Sequence, residues 1–160
     1  MNTALMLSDT DARQWLRLRQ LRVQRAREAL TQAQREEAQA QAVVADREQR
    51  VEQGRALVNE LARHWGGEGC VGMPRWGERV QAHREVLTER LERDEYALID
   101  EQDALAQARS TVRQRRAELA RAEAREAAVD ATLKDQRRQA NQAREQRAEL
   151  EAEDAGRVRH

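Results

Sequence analysis

Apolar residues recur every seven positions along both halves of the chain, which we denote heptad a positions. In the first half they are Leu16, Val23, Leu30, Glu37, Val44, Val51, Val58 and Trp65, with one glutamate among them. In the second half they are Leu91, Leu98, Leu105, Val112, Leu119, Glu126, Leu133 and Ala140. Heptad spacing keeps one stripe of a slightly underwound α-helix facing a partner helix. The pattern therefore predicts two long helices that pair as a coiled coil.

A glycine-rich segment separates the two series. It contains Gly66, Gly67, Gly69, Gly72 and Pro74. Glycine ends helices in a left-handed conformation, and proline is favoured in the first turn of the next helix. We therefore expect an all-α fold, a long antiparallel two-helix coiled-coil hairpin that forms a single domain over 1–160. Its predicted parts are helix one at about 9–65, a tip loop at 66–74, helix two at about 75–154 and a flexible tail at 155–160.

Composition supports long helices over a thick globular core. Hydrophobic residues make up 39% of the chain and charged residues 36%, while aromatic residues are only 2% and phenylalanine is absent. Globular cores rely on aromatic side chains, whereas this composition is typical of coiled coils. High charge also marks disordered chains, but the regular heptads favour helices. The 29 basic and 29 acidic residues balance, so no net charge draws the chain to nucleic acid or to anionic membranes.

The register of the two helices follows from the companion d positions. In helix one most of them are small: Ala12, Arg19, Ala26, Ala33, Ala40, Arg47, Gly54 and Leu61. In helix two they are Leu87, Asp94, Glu101, Ala108, Arg115, Ala122, Val129 and Gln136. Antiparallel pairing sets a residues against d residues, and one register places Gly54 beside Leu91. A register shifted by one heptad fits the tip equally well but opposes Glu37 to Glu101, so we favour the first.

No residue pattern points to catalysis, to a cofactor or to a metal. His64 and His83 have no neighbouring nucleophile or orienting group, and the glycine-rich segment lacks the Lys-Ser/Thr ending of a phosphate-binding loop. Cys70 is the single cysteine, which excludes an internal disulfide and fits a reducing cytoplasm. We expect a protein that is not an enzyme.

The start of helix one is strongly basic. Its arginines are Arg13, Arg17, Arg19, Arg22, Arg25 and Arg27, with no acidic residue between the first and the last. Two interpretations stay open: a solvated face that pairs with acids of helix two, Arg19 with Glu126 among them, or a docking surface for an acidic partner. The docking interpretation predicts a partner-binding site at Arg13, Trp15, Arg17, Arg22 and Arg25. Nucleic acid is a weaker candidate partner because no aromatic residues alternate with the arginines.

The basic start of helix one, the single glycine-rich break near the middle and the longer second helix together resemble the FliJ/YscO family of type III secretion stalk proteins. The resemblance covers the whole chain and rests on length and coiled-coil pattern, so it transfers no functional residue. It implies a central stalk-like component that docks into a hexameric secretion ATPase and couples it to an export-gate protein. It also implies a bacterial cytoplasmic location at the base of the secretion apparatus, in a flagellar or a virulence system, with secretion chaperones as further partners.

Two other functions compete with the stalk. One is a coiled-coil adaptor or chaperone-binding protein, and the less favoured one is an arginine-rich nucleic-acid-binding module. Under each of the three functions, the short tip gives the two helices of one chain a high effective concentration for pairing. We therefore expect a monomer.

Direct membrane insertion is not expected, since no stretch approaches the roughly 20 apolar residues that it requires.

Overall fold

The computed structural model of the protein describes residues 9–157, which are almost entirely helical. Helix α1 spans Asp9–Gly66, a 3-10 helix spans Glu68–Gly72, and helix α2 spans Met73–Arg157. The predicted all-α, antiparallel two-helix coiled-coil hairpin is confirmed, and the described residues contain no strand. No helix in this range has a stretch both long and apolar enough to cross a membrane.

Helix α2 extends into the predicted flexible tail. It includes Gly156 and ends at Arg157, so a tail that begins at 155 is wrong for 155–157, and 158–160 lie outside the described residues. One glycine costs a helix only about 1 kcal/mol relative to alanine. The basic residue in the last turn also interacts favourably with the helix dipole. Helical hydrogen bonding therefore continues past the predicted end.

The tip is a short 3-10 helix, where the sequence predicted a loop with left-handed glycines. None of the described glycines has a positive φ. Close approach explains the glycines instead, since a Cβ on Gly67 would lie 3.2 Å from the Arg63 carbonyl oxygen. A Cβ on Gly69 would lie 3.0 Å from atoms of His64. Backbone amides of Gly67 and Cys70 donate hydrogen bonds that close the turn, and the Cys70 side chain is exposed.

Contacts group the chain into two compact units. Unit 1 contains residues 9–30 and 115–157 of the described range, and unit 2 contains residues 31–114. In both units every buried hydrophobic side chain occupies a heptad a or d position. Those of unit 1 are Ala12, Val23, Val129 and Leu133, and those of unit 2 are Ala33, Val44, Val51, Leu105 and Val112. The heptad pattern thus locates the core of each unit.

In unit 1 the core ends at Leu133. Ala12 packs with Val129 and Leu133, and Leu16 packs against this cluster. All residues from 134 to 157 are exposed, so Gln136 and Ala140 do not join the core although they continue the heptads. The reason is that a heptad residue is buried only where a partner helix covers it.

In unit 2 the contacts of Gly54 confirm the favoured register. A Cβ built on Gly54 would lie 3.2 Å from Leu91 Cδ1, so the absent side chain makes room for the leucine. Glu37, which the shifted register would oppose to an acid, instead lies 3.7 Å from Arg109, measured from Oε1 to Nε. Small residues opposite large ones let the helices approach closely.

A charged cluster interrupts the apolar core of unit 2. Arg47 donates hydrogen bonds from Nη1 to Asp94 at 2.8 Å and from Nη2 to Glu101 at 2.9 Å. All three residues occupy d positions, and their side chains are 20–23% exposed. The hydrogen bond to Glu101, followed by that to Asp94, raises the pKa of Arg47. One guanidinium therefore joins two carboxylates that a seven-residue interval sets on the same face of α2.

Gly54 and Gly77 form a matched pair for a stability test. Gly54→Leu should lower the free energy of unfolding by about 1–3 kcal/mol, because the new side chain overpacks against Leu91. Gly77→Leu should raise it by about 0.5–1 kcal/mol, since Gly77 lies within α2 with nothing within 4 Å of a Cβ. Urea denaturation of both variants measures the difference. Equal effects would contradict the close approach at Gly54.

Candidate partner-binding surface

The N-terminal part of α1, in unit 1, exposes three large apolar side chains. Trp15 is 39% exposed, Leu18 57% and Leu21 49%. Leu18 and Leu21 occupy heptad positions c and f, which face away from the a and d core and are usually polar in a coiled coil. Apolar side chains grouped on an outer helix face are typical of a surface that binds another protein.

Two arginines share the outer surface with these apolar residues. Trp15, Leu18, Arg22 and Arg25 follow one another at intervals of three or four residues, so they line one strip of the helix. Leu21 lies beside this strip, three residues after Leu18. We call these five residues the α1 face. It combines an aromatic ring, two leucines and two guanidinium groups within three turns of one helix.

Arg13 and Arg17 do not belong to the α1 face. Each is two residues from Trp15 in the sequence, an interval that points side chains to nearly opposite sides of a helix. The two are four residues apart and share a strip that reaches Leu21, on the side of Leu21 away from Trp15 and Arg22. The structure thus brings together three of the five predicted site residues, namely Trp15, Arg22 and Arg25, and separates the other two from them.

The arginines of this region differ in their ionic partners. Arg27 pairs across the hairpin with Glu123 of α2 at 3.0 Å, as the solvated-face interpretation expected. Arg17, Arg22 and Arg25 make no ion pair or hydrogen bond with any residue in the range 9–157. The guanidinium groups of the α1 face are therefore available to carboxylates of a partner.

The predicted ion pair between Arg19 and Glu126 does not form in the described structure. The Arg19 guanidinium carbon instead lies 5.8 Å from the centroid of the Trp15 ring. Such a cation–π contact stabilises by about 0.5–1 kcal/mol at exposed sites. The contact places the Arg19 guanidinium beside the Trp15 ring of the α1 face.

A shallow groove opens between α1 and α2 in unit 1, beside the α1 face. Its volume is about 240 Å³. Four arginines, one glutamate and one alanine line it, and we call it the arginine groove: Arg19, Arg22, Glu118, Arg121, Ala122 and Arg125. Arg22 contributes to both surfaces, which makes the α1 face and the arginine groove neighbours.

Several residues of these surfaces were not predicted from the sequence. Leu18 and Leu21 could have been found from the sequence, because leucines are unusual at the c and f positions of a coiled coil whose outer surface contacts only water. Arg121 and Arg125 were harder to single out from the sequence, since α2 contains acids and arginines on all sides. Only the pairing of the two helices shows which α2 arginines lie beside those of α1.

Other parts of the described chain show weaker evidence for a binding site. Trp65 and Trp76, which flank the tip in unit 2, both lie within 3.7 Å of a Cβ built on Gly72. Arg75 and Arg79 lie over the Trp76 ring at 5.6 and 5.1 Å from its centroid. Within residues 9–157, no three His, Cys, Asp or Glu side chains converge as metal ligands would.

Comparisons with known proteins identify no relative of this chain. It matches no family model, no curated protein and no solved structure.

Proposed function

We propose that the chain is a central stalk-like component of a type III secretion system. In this proposal it acts in the bacterial cytoplasm at the base of the secretion apparatus, docks into the hexameric secretion ATPase and couples it to an export-gate protein. The observation that carries the proposal is the α1 face, where exposed Trp15 and Leu18 lie beside arginines that bond to no described residue.

The chemistry of the α1 face fits an acidic protein surface. Tryptophan and arginine dominate the binding energy of protein interfaces, because a ring fills a pocket and a guanidinium binds a carboxylate through two hydrogen bonds. Attraction between the arginines and acidic residues of the ring also accelerates encounter. The α1 face therefore supplies both an apolar anchor and a charge match.

The role in this proposal is mechanical and involves no catalysis. Buried a and d residues hold the helices of each unit together, so a force on one helix passes to the other. The exposed residues 134–157 of α2 offer a separate surface for the export-gate protein or for secretion chaperones. Contact at the α1 face would then report the nucleotide state of the ring to these partners.

A pull-down with the secretion ATPase of the same organism tests the proposal. The double variant Arg22→Glu/Arg25→Glu should weaken binding by about a hundredfold or more, because it reverses two charges at the contact. Trp15→Ala should weaken it by about tenfold or more, because it removes the apolar anchor. Circular dichroism should show unchanged helix content, since these side chains lie outside the core.

The matched control is Arg113→Glu/Arg116→Glu. These arginines have the same three-residue interval, lie exposed on α2 and belong to neither the α1 face nor the arginine groove. The control should bind the ATPase like the parent. Equal loss in both double variants would show that only overall charge matters, and failure of the parent chain to bind any secretion ATPase would overturn the stalk in favour of the adaptor.

A further inference from the structure

The arginine groove concentrates positive charge that the protein itself does not neutralise. Arg22, Arg121 and Arg125 make no hydrogen bond, ion pair or ring contact within residues 9–157. Arg19, the fourth, engages only the Trp15 ring, which leaves its charge uncompensated. Four guanidinium groups from two helices thus converge on one concave site.

The one acidic group in the groove is already engaged. Glu118 Oε2 accepts a hydrogen bond from Arg115 Nη1 at 2.8 Å. Arg115 does not line the groove, so this pair satisfies the carboxylate from outside. The lining side chains carry four positive charges and one negative charge, and the negative charge is the one with a cationic partner.

We infer that the arginine groove binds a compact, multiply charged phosphate oxyanion, whether the phosphate chain of a nucleotide or free inorganic polyphosphate. Guanidinium groups match phosphate oxygens with paired N–H donors, and hydrogen bonds between two charged groups are about twice as strong as neutral ones. The inference goes beyond the proposed ATPase contact and does not depend on it.

Size and lining favour a compact oxyanion over a peptide. The volume of about 240 Å³ lies below the roughly 300–1,000 Å³ typical of pockets for larger organic ligands. Ala122 is the only apolar residue in the lining, so the groove lacks the pocket that an aromatic or aliphatic anchor of a peptide would fill. The other five lining residues all end in charged groups, which suits a ligand whose binding groups are all charged oxygens.

Isothermal titration calorimetry of the full chain with inorganic triphosphate tests the inference. Binding should weaken by about tenfold or more in Arg121→Gln/Arg125→Gln, because each lost guanidinium removes charged hydrogen bonds. The control Arg113→Gln/Arg116→Gln removes the same charge elsewhere on α2 and should bind within about twofold of the parent. Affinity should also fall as salt is raised, since exposed charges are screened.

Two further arms identify the ligand and its place. ATP and inorganic triphosphate should both bind more tightly than AMP, and a tighter ATP would assign the source as a nucleotide. With Trp65 and Trp76 replaced by Phe, the emission of Trp15 should change on binding, because Arg19 touches both its ring and the groove. Arg121 and Arg125 lie outside the α1 face, so failure here leaves the proposed ATPase contact standing.

Three results would overturn the inference. They are no detectable binding of triphosphate at millimolar concentration, equal weakening in the groove variant and its control, and AMP binding as tight as ATP. Circular dichroism of the groove variant excludes misfolding as the cause of any loss, since its two side chains are exposed.

Discussion

Leu105→Asp should lower the free energy of unfolding by about 3–5 kcal/mol, the largest loss that we expect from a single substitution in unit 2. Leu105 is an a residue with only 7% of its surface exposed. The register places it against Ala40, a small residue with no group to pair with a carboxylate. The substitution therefore removes apolar contacts and also buries a charge. Thermal and urea denaturation, followed by far-UV circular dichroism, measure the loss.

Gln107→Asp is the control for this prediction. It introduces the same side chain two residues away, at a position exposed on the outer surface of α2. Its free energy of unfolding should stay within about 0.5 kcal/mol of the parent value. If the two variants melted at the same temperature, the assignment of Leu105 to the core would be wrong.

Arg47→Glu should produce the second large loss of stability. The substitution removes the guanidinium that joins Asp94 and Glu101 and places a third carboxylate beside them in a partly buried site. Removing one partner of such a cluster costs more than the cluster contributed, because the remaining charges stay desolvated and unpaired. We expect a clear fall in melting temperature, measured by circular dichroism at constant ionic strength.

The control for Arg47 is Arg55→Glu. Arg55 also forms an ion pair with α2, to Glu95 at 3.0 Å, but the two side chains are 56% and 40% exposed. Water screens such a pair, so the loss of melting temperature should be less than half that of Arg47→Glu. A larger loss from Arg55→Glu would show that the d position of Arg47 has no special role.

The pH dependence of the Arg47 cluster follows from its pKa. The pKa of Arg47 is raised in the folded state by its hydrogen bonds to Glu101 and Asp94. A base with a raised pKa stabilises the fold fully below its unfolded pKa and loses that contribution only as the pH rises through the folded value. Both pKa values lie far above neutrality. Arginine ionisation should therefore contribute equally, at every pH in the neutral range, to the difference in stability between the parent and Arg47→Glu.

The sequence alone determined the two helices and the stripe of each helix that forms the core, and it favoured the register that the structure shows. Heptad spacing identified the buried residues, because a seven-residue repeat can face a partner helix on one stripe only. Repulsion between Glu37 and Glu101 in the shifted register favoured the alignment that sets small d residues against large a residues, and the contact between Gly54 and Leu91 confirms it. These features follow from periodicity and side-chain volume, which are properties of the sequence itself.

The tertiary structure decided the polar contacts and the extent of the pairing. Arg19 lies over Trp15 and not beside Glu126, and Arg47 binds two acids at once. A long flexible side chain reaches several partners of similar energy, so heptad position gives its face but not its partner. The arginine groove likewise requires both helices in place, since Arg22 and Arg125 are far apart in the sequence and meet only when α1 and α2 pair.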